Sequence, residues 1–122
     1  MEILYRELTE KIIKTLFEVF SQIGPGLSEV IYKRAIIEEL GLAKLEFKTE
    51  KETPVLYKGK KIGLYRLDLL VADKVVLELK VKSEIEPIDE AQIITYLKST
   101  GYRIGLLVNF GAKKLEFKRF IV

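Results

Sequence analysis

Neither cysteine nor histidine occurs among the 122 residues, and the two absences narrow the chemistry open to this chain. Without cysteine there is no disulfide framework, no thiolate nucleophile and no zinc knuckle. Without histidine the commonest general base and the commonest zinc ligand are both missing, so Ser-His-Asp and Cys-His arrangements are excluded. Any catalysis has to run on carboxylates, Lys, Tyr, Ser or Thr, together with a hard cation bound through oxygen. There is also no run of about 18 apolar residues that could span a bilayer. The segment Met1-Glu2-Ile3-Leu4-Tyr5-Arg6-Glu7 carries acids where a signal peptide would carry basic and then apolar residues. A cytoplasmic location, with no membrane partner, is the expectation.

What is present suits a folded domain. Hydrophobic residues make up 48% and charged residues 32% of the chain, enough for a core and a solvated surface. The length fits a single domain over residues 1–122, with no separate recognition module beside a core. The formal net charge of +3 and a pI near 9.0 permit nucleic-acid binding without establishing it. Basic residues gather in Lys58-Gly59-Lys60-Lys61 with Arg66, and in Lys113-Lys114 with Lys118-Arg119. Solvated turns and strand edges explain these clusters as well as a phosphate-binding track does.

Hydrophobic period divides the chain into elements. Leu8, Ile12, Leu16 and Val19, widened by Ile13, Phe17 and Phe20, predict a helix from Leu4 to about Ile23. Gly24-Pro25-Gly26 ends it, and a second helix is expected from about Leu27 to Leu40, stopped by Gly41. The period then shortens to two. Leu45 to Lys48 and Val55 to Tyr57 read as one interrupted strand, Lys58-Gly59-Lys60 as a hairpin turn and Ile62 to Ala72 as a second strand. Asp73-Lys74 turns into Val75 to Val81; Pro87 opens a third helix lasting to Gly101; Arg103 to Asn109 and Lys114 to Ile121 close the chain as strands. The order α-α-β-β-β-α-β-β predicts an α/β fold, a mixed sheet with helices on its faces. Ile104 to Val108, apolar on both faces, reads as a covered central strand.

The chemistry sits where two otherwise apolar strands carry charge. Glu78 and Lys80, two apart in Val75 to Val81, share a face. Arg66, Asp68 and Leu70 share one face of the preceding strand, with Tyr65, Leu67, Leu69 and Val71 on the other. Pairing through Asp73-Lys74 then brings Asp68 near Glu78. An ion pair on a half-exposed sheet would produce the same pattern. Against it stands the cost of burying charge, which a divalent cation offsets. On the second helix Glu29, Tyr32, Ile36 and Leu40 line one side, where an acid in the first turn is also favoured by the helix dipole. On the third, Asp89, Gln92, Ile93 and Tyr96 share a face; Gln92 and Tyr96 either converge on one point or form a surface hydrogen bond.

Together these residues resemble one pattern. Gly26-Leu27-Ser28-Glu29-Val30-Ile31-Tyr32 matches the GxxExxY signature of a small group of PD-(D/E)xK nuclease-like proteins. Asp68 with Glu78-Leu79-Lys80 fits that superfamily's D…ExK motif, and Gln92-Ile93-Ile94-Thr95-Tyr96 fits the QxxxY motif of its RecB-like branch. The similarity runs from the first helix to the C-terminus and takes in Gly24-Pro25-Gly26 and Val108-Asn109-Phe110-Gly111. Each motif is short; four in order, each on its proper element, make the pattern specific. The resemblance implies a restriction-endonuclease-like core and a metal-dependent nuclease that hydrolyses phosphodiester bonds, with DNA as the expected substrate. It implies Asp68 and Glu78 as ligands of Mg²⁺ or Mn²⁺, Glu29 as a further or water-mediated ligand, and Lys80 as the group that orients or activates water. Gln92, Tyr96 and Tyr32 are then expected to hold the site or the nucleic-acid backbone. A homodimer would enlarge the binding surface. The alternative is a non-catalytic nucleic-acid- or protein-binding module that retains the nuclease fold.

Overall fold

A computed structural model describes residues 5–122; Leu4, the expected start of the first helix, lies outside the described residues. The elements are α1 (Arg6–Ile23), α2 (Glu29–Leu42), β1 (Phe47–Thr49), β2 (Glu52–Tyr57), β3 (Lys60–Arg66), β4 (Leu69–Val71), β5 (Val75–Lys80), α3 (Pro87–Thr100), β6 (Ile104–Asn109) and β7 (Glu116–Ile121). Five strands form one mixed sheet in the order β1-β4-β5-β6-β7, and β2 pairs with β3 in a separate ribbon. Among the described residues only β5 and β6 pair in parallel, and α3 supplies the crossover that a parallel pair requires.

Alternation along the central strands explains the layers. Val75, Leu77 and Leu79 of β5 and Ile104, Leu106 and Val108 of β6 pack with Ile12, Leu16 and Val19 of α1 and Tyr32, Ile36 and Leu40 of α2. Val76 and Leu107 face the other way, against Ile93, Tyr96 and Leu97 of α3. Both faces of the sheet's centre are therefore covered, as the apolar run of β6 predicts. Among the described residues no helix is long and apolar enough to cross a membrane.

Three expectations need correction. Gly41 does not end α2, which runs on to Leu42. The helix closes instead on Lys44 in the left-handed conformation (φ 57°), with the Leu45 amide donating back to the Leu40 carbonyl at 3.0 Å. Glycine usually takes that closing position. The two runs before Lys58 are separate strands, β1 and β2, split at Glu50 (φ 51°). Finally, the strand expected from Ile62 to Ala72 breaks at Leu67-Asp68. Hydrogen bonds from Leu67 N to Lys51 O and from Glu50 N to Asp68 O carry the ladder through the bend. The bend resets the alternation: Leu67 and Tyr65 join Leu70 on the α3 side, while Leu69 and Val71 face α1 and α2.

A buried amide fixes the chain just beyond β5. Asn109 Oδ1 accepts from the Lys82 amide at 2.9 Å and from the Gly111 amide at 3.0 Å. Its Nδ2 donates to Lys82 O at 2.9 Å and to Glu116 Oε1 at 2.8 Å. All four capacities of the side chain are thereby used. Gly111 is held so close that a β-carbon would overlap the Lys82 backbone, whereas Gly63 in β3 has open space around it. Gly111→Ala is expected to destabilise the protein by roughly 1–3 kcal/mol or more, while Gly63→Ala stays near neutral. Urea unfolding of both variants checks this, and equal midpoints would remove the close approach at Lys82.

Candidate functional site

The acids meet where strand pairing runs out. Leu69 pairs with Leu77, Leu70 with Val76 and Val71 with Val75; one step further along the same register sets Asp68 opposite Glu78. Asp68 lies just before β4, and its Oδ2 accepts the Leu79 amide at 3.0 Å. That bond ties the carboxylate to β5 and turns it toward its neighbour. Glu78 Oε1 is buried and has no hydrogen-bond partner. Burial above all, then the charge of Asp68, with a smaller push from the charge of Glu29, raise the Glu78 carboxyl, and Lys80 only partly opposes them, leaving it at about 8.

Glu29, the first residue of α2, reaches the same cluster from the other layer. Its side chain is exposed, yet loss of surrounding water and then the charge of Asp68 raise its carboxyl above the usual range, with Lys80 pulling the other way. Three carboxylates and one ammonium thus act on one another. The sequence-predicted Glu29, Asp68, Glu78 and Lys80 are brought together.

Lys80 is steered from α3. Its Nζ lies 4.0 Å from Asp89 Oδ1, and Asp89 is 4% exposed. The other oxygen, Oδ2, accepts from Lys82 Nζ at 2.9 Å and from the Glu86 amide at 2.9 Å, the second bond being half of the capping box that starts α3. Burial pushes the Asp89 carboxyl up, but its bonds to Lys82 and Glu86 and the charges of Lys82 and Lys80 outweigh this and hold it below the usual range. The sequence marks Asp89 only as an acid on the helix face it shares with Gln92, Ile93 and Tyr96. The signal that would have singled it out is the continued alternation Glu78-x-Lys80-x-Lys82, which sets a second lysine on the same face.

The remaining expected residues separate. Tyr32, expected to hold the site or substrate, is instead core: it is fully buried and stacks on Phe110 with centroids 4.3 Å apart. Its hydroxyl donates to Gly24 O at 2.6 Å and accepts the Leu27 amide at 3.0 Å, so it closes the Gly24-Pro25-Gly26 turn in front of Glu29 and, being fully buried, faces the chain's own backbone. Tyr96 is buried on the α3 side, where burial above all raises its phenol to about 12 and the charge of Glu78 adds to the rise. Gln92 is exposed and lines a cleft with Tyr96 and Tyr65. Tyr65, assigned by simple alternation to the face opposite Asp68, comes to the site because of the bend at Leu67-Asp68. Its ring lies 4.3 Å from that of Tyr96, and burial, Glu78 and Asp68 raise its phenol.

This donor set fits a hard divalent cation. Among the described residues no three acids form a ready-made metal cage, but Mg²⁺ commonly takes one or two carboxylates and completes its shell with water and phosphate oxygens. The buried, unpartnered Glu78 Oε1 beside Asp68 is the kind of oxygen that such an ion satisfies.

The raised Glu78 carboxyl has a consequence for stability. Its folded value of about 8 lies above the ordinary 4.5, so the unfolded chain loses this proton first and stability falls as pH rises between those two values. Glu78→Gln is expected to be the more stable protein above pH 8 by on the order of a few kcal/mol, with the gap closing toward about pH 5. Denaturant unfolding in a chelator across that range measures it, and a gap independent of pH would contradict the charge account.

No curated protein matches the sequence. Among solved structures, one described as the crystal structure of SSO0001 is similar over 93% of this chain, with 18% sequence identity and a TM-score of 0.46; the chain spans 65% of that chain's length. The five-stranded mixed sheet flanked by helices is consistent with a restriction-endonuclease-like fold. A family model described as the PD-(D/E)XK nuclease superfamily matches residues 6–120, and the chain belongs to that superfamily.

Proposed function

We propose that this protein is a divalent-metal-dependent nuclease that hydrolyses phosphodiester bonds in DNA, that it falls in the GxxExxY group of its superfamily, and that residues 1–122 act as one catalytic domain. The observation that carries the reading is the half-buried Glu78 carboxylate opposite Asp68, its Oε1 out of solvent and unpartnered, with Lys80 as the nearby cation acting on it. A buried ion pair repays its desolvation only when its remaining oxygens are hydrogen-bonded. Asp68 and Glu78 are the ligands this reading assigns to Mg²⁺ or Mn²⁺, with Glu29 as a further or water-mediated one. When bound, such an ion polarises phosphate oxygens and makes water more acidic.

The chain's own residues do the rest. Lys80 places a positive charge beside the carboxylates, where it orients the attacking water and steadies charge growing on the phosphate. Asp89 limits where that ammonium can go, and Lys82, held on the same carboxylate, adds a second cation along the line of the strand. Gln92, exposed on α3, contacts the nucleic acid, and the buried Tyr96 holds that side of the site through its packing on Tyr65.

The test is cleavage of single-stranded, duplex and branched DNA with Mg²⁺ or Mn²⁺. Lys80→Ala is expected to lower the rate roughly 100-fold or more while leaving the circular dichroism spectrum unchanged, and a chelator is expected to abolish cutting. Salt-sensitive DNA binding with no turnover on any substrate would favour the non-catalytic module instead.

A further inference from the structure

Beside the acidic cluster lies a cleft of about 340 Å³, lined by Val55 and Tyr65 of the β2-β3 ribbon and by Ile88, Ala91, Gln92, Thr95, Tyr96 and Ser99 along α3. Ribbon pairing explains its inner wall. Thr53 pairs with Tyr65 and Val55 with Gly63, and residues directly opposite one another in such a pair share a face. Gly63 has no side chain and nothing within 4 Å of where one would begin, so the wall is hollowed opposite Val55. Further along, Tyr57 pairs with Lys60, and Lys58 Nζ sits 5.5 Å from the Tyr57 ring centre. An aromatic ring with cations at its side thus lies at the far end of the ribbon.

None of the acids lines the cleft, but two of its side chains lie near the proposed catalytic centre. Tyr65 and Tyr96, in contact with each other, both feel the charge of Glu78. Tyr96 is 2% exposed and Thr53 8%. Their hydroxyls approach one another, yet neither oxygen makes a well-formed hydrogen bond. Buried hydroxyls without partners are uncommon in a finished core, and here one belongs to a cleft-lining side chain.

We infer that this cleft receives one unpaired base of a single-stranded nucleic acid whose backbone passes the Asp68-Glu78-Lys80 cluster. The inference rests on the nuclease reading for the class of ligand and goes beyond it in naming the strand and the pocket. A nucleobase has two aromatic faces and a polar edge. The half-buried Tyr65 ring, backed by the buried Tyr96, and the aliphatic side chains of Val55, Ile88 and Ala91 suit the faces, and the Gln92 amide and the Thr95 hydroxyl suit the edge. A paired base keeps its faces stacked and its edge occupied, so duplex DNA would have to flip a base at a cost. Phosphates on either side of the base have cations to meet, Lys80 and Lys82 at one end and Lys58 and Lys60 at the other.

Binding separates this inference from the catalytic one. A fluorescein-labelled mixed-sequence DNA strand, the same strand with abasic residues and the corresponding duplex are titrated with the protein in a chelator and followed by anisotropy. The strand that carries bases is expected to bind about tenfold more tightly than the abasic strand and more tightly than the duplex. Ala91→Trp, an exposed helix position that fills the cleft without touching the acids, is expected to erase the preference for bases while keeping the salt-sensitive binding. Equal affinity for the two single strands, tighter binding of duplex, or a base preference that survives Ala91→Trp would overturn the pocket. Cleavage without base preference leaves the nuclease and removes the pocket; base-dependent binding without cleavage under Mg²⁺ or Mn²⁺ does the reverse.

Discussion

Everything at this site follows from two carboxyl groups being held together in a place with little water. Asp68 just precedes β4 and Glu78 lies within β5, strands whose apolar side chains make the core, and their register gives the two acids no separate positions. The repulsion between them is offset only in part by Lys80. A group kept in such an environment subtracts from folding stability, and proteins tolerate this chiefly where function requires it. The covered sheet of the PD-(D/E)XK superfamily supplies the stability that the cluster consumes.

That cost explains why the surrounding chain is pinned so closely. Asn109 ties the segment after β5 through its bonds to Lys82, and Phe110 adds a bond from its amide to Lys80 O. Tyr32 spends its hydroxyl on the turn that precedes Glu29. Asp89 begins α3 and restrains two lysines with the same carboxylate. None of these three needs to touch a substrate. Each fixes the backbone or cation on which one of the charged residues is mounted, and a carboxylate cluster needs such mounting because its members would otherwise move apart.

The bend at Leu67-Asp68 has a second effect. By letting the chain leave the main sheet, it frees β2 and β3 to form a ribbon of their own and brings Tyr65 over to Tyr96. The acidic cluster and the cleft along α3 therefore arise from one irregularity in one strand.

Much of this was legible in the sequence. The apolar period placed three helices and the covered strand β6, and the charges of Glu78 and Lys80 stood out because the rest of β5 is apolar. The short turn at Asp73-Lys74 was enough to pair Asp68 with Glu78, since both the turn and the register are local. The bend was not legible: it depends on Glu50 taking a left-handed backbone and on hydrogen bonds between residues 50–51 and 67–68, which no period of two can announce. The roles of Tyr32 and Asp89 were hidden for a related reason. A tyrosine or an aspartate on a helix face looks the same whether its polar atom meets a ligand or the chain's own backbone. The sequence by itself determined which residues carry charge into an apolar sheet, because alternation is a property of neighbours along the chain. Only the tertiary structure decided which polar groups were left without partners, because that depends on atoms brought together from distant segments.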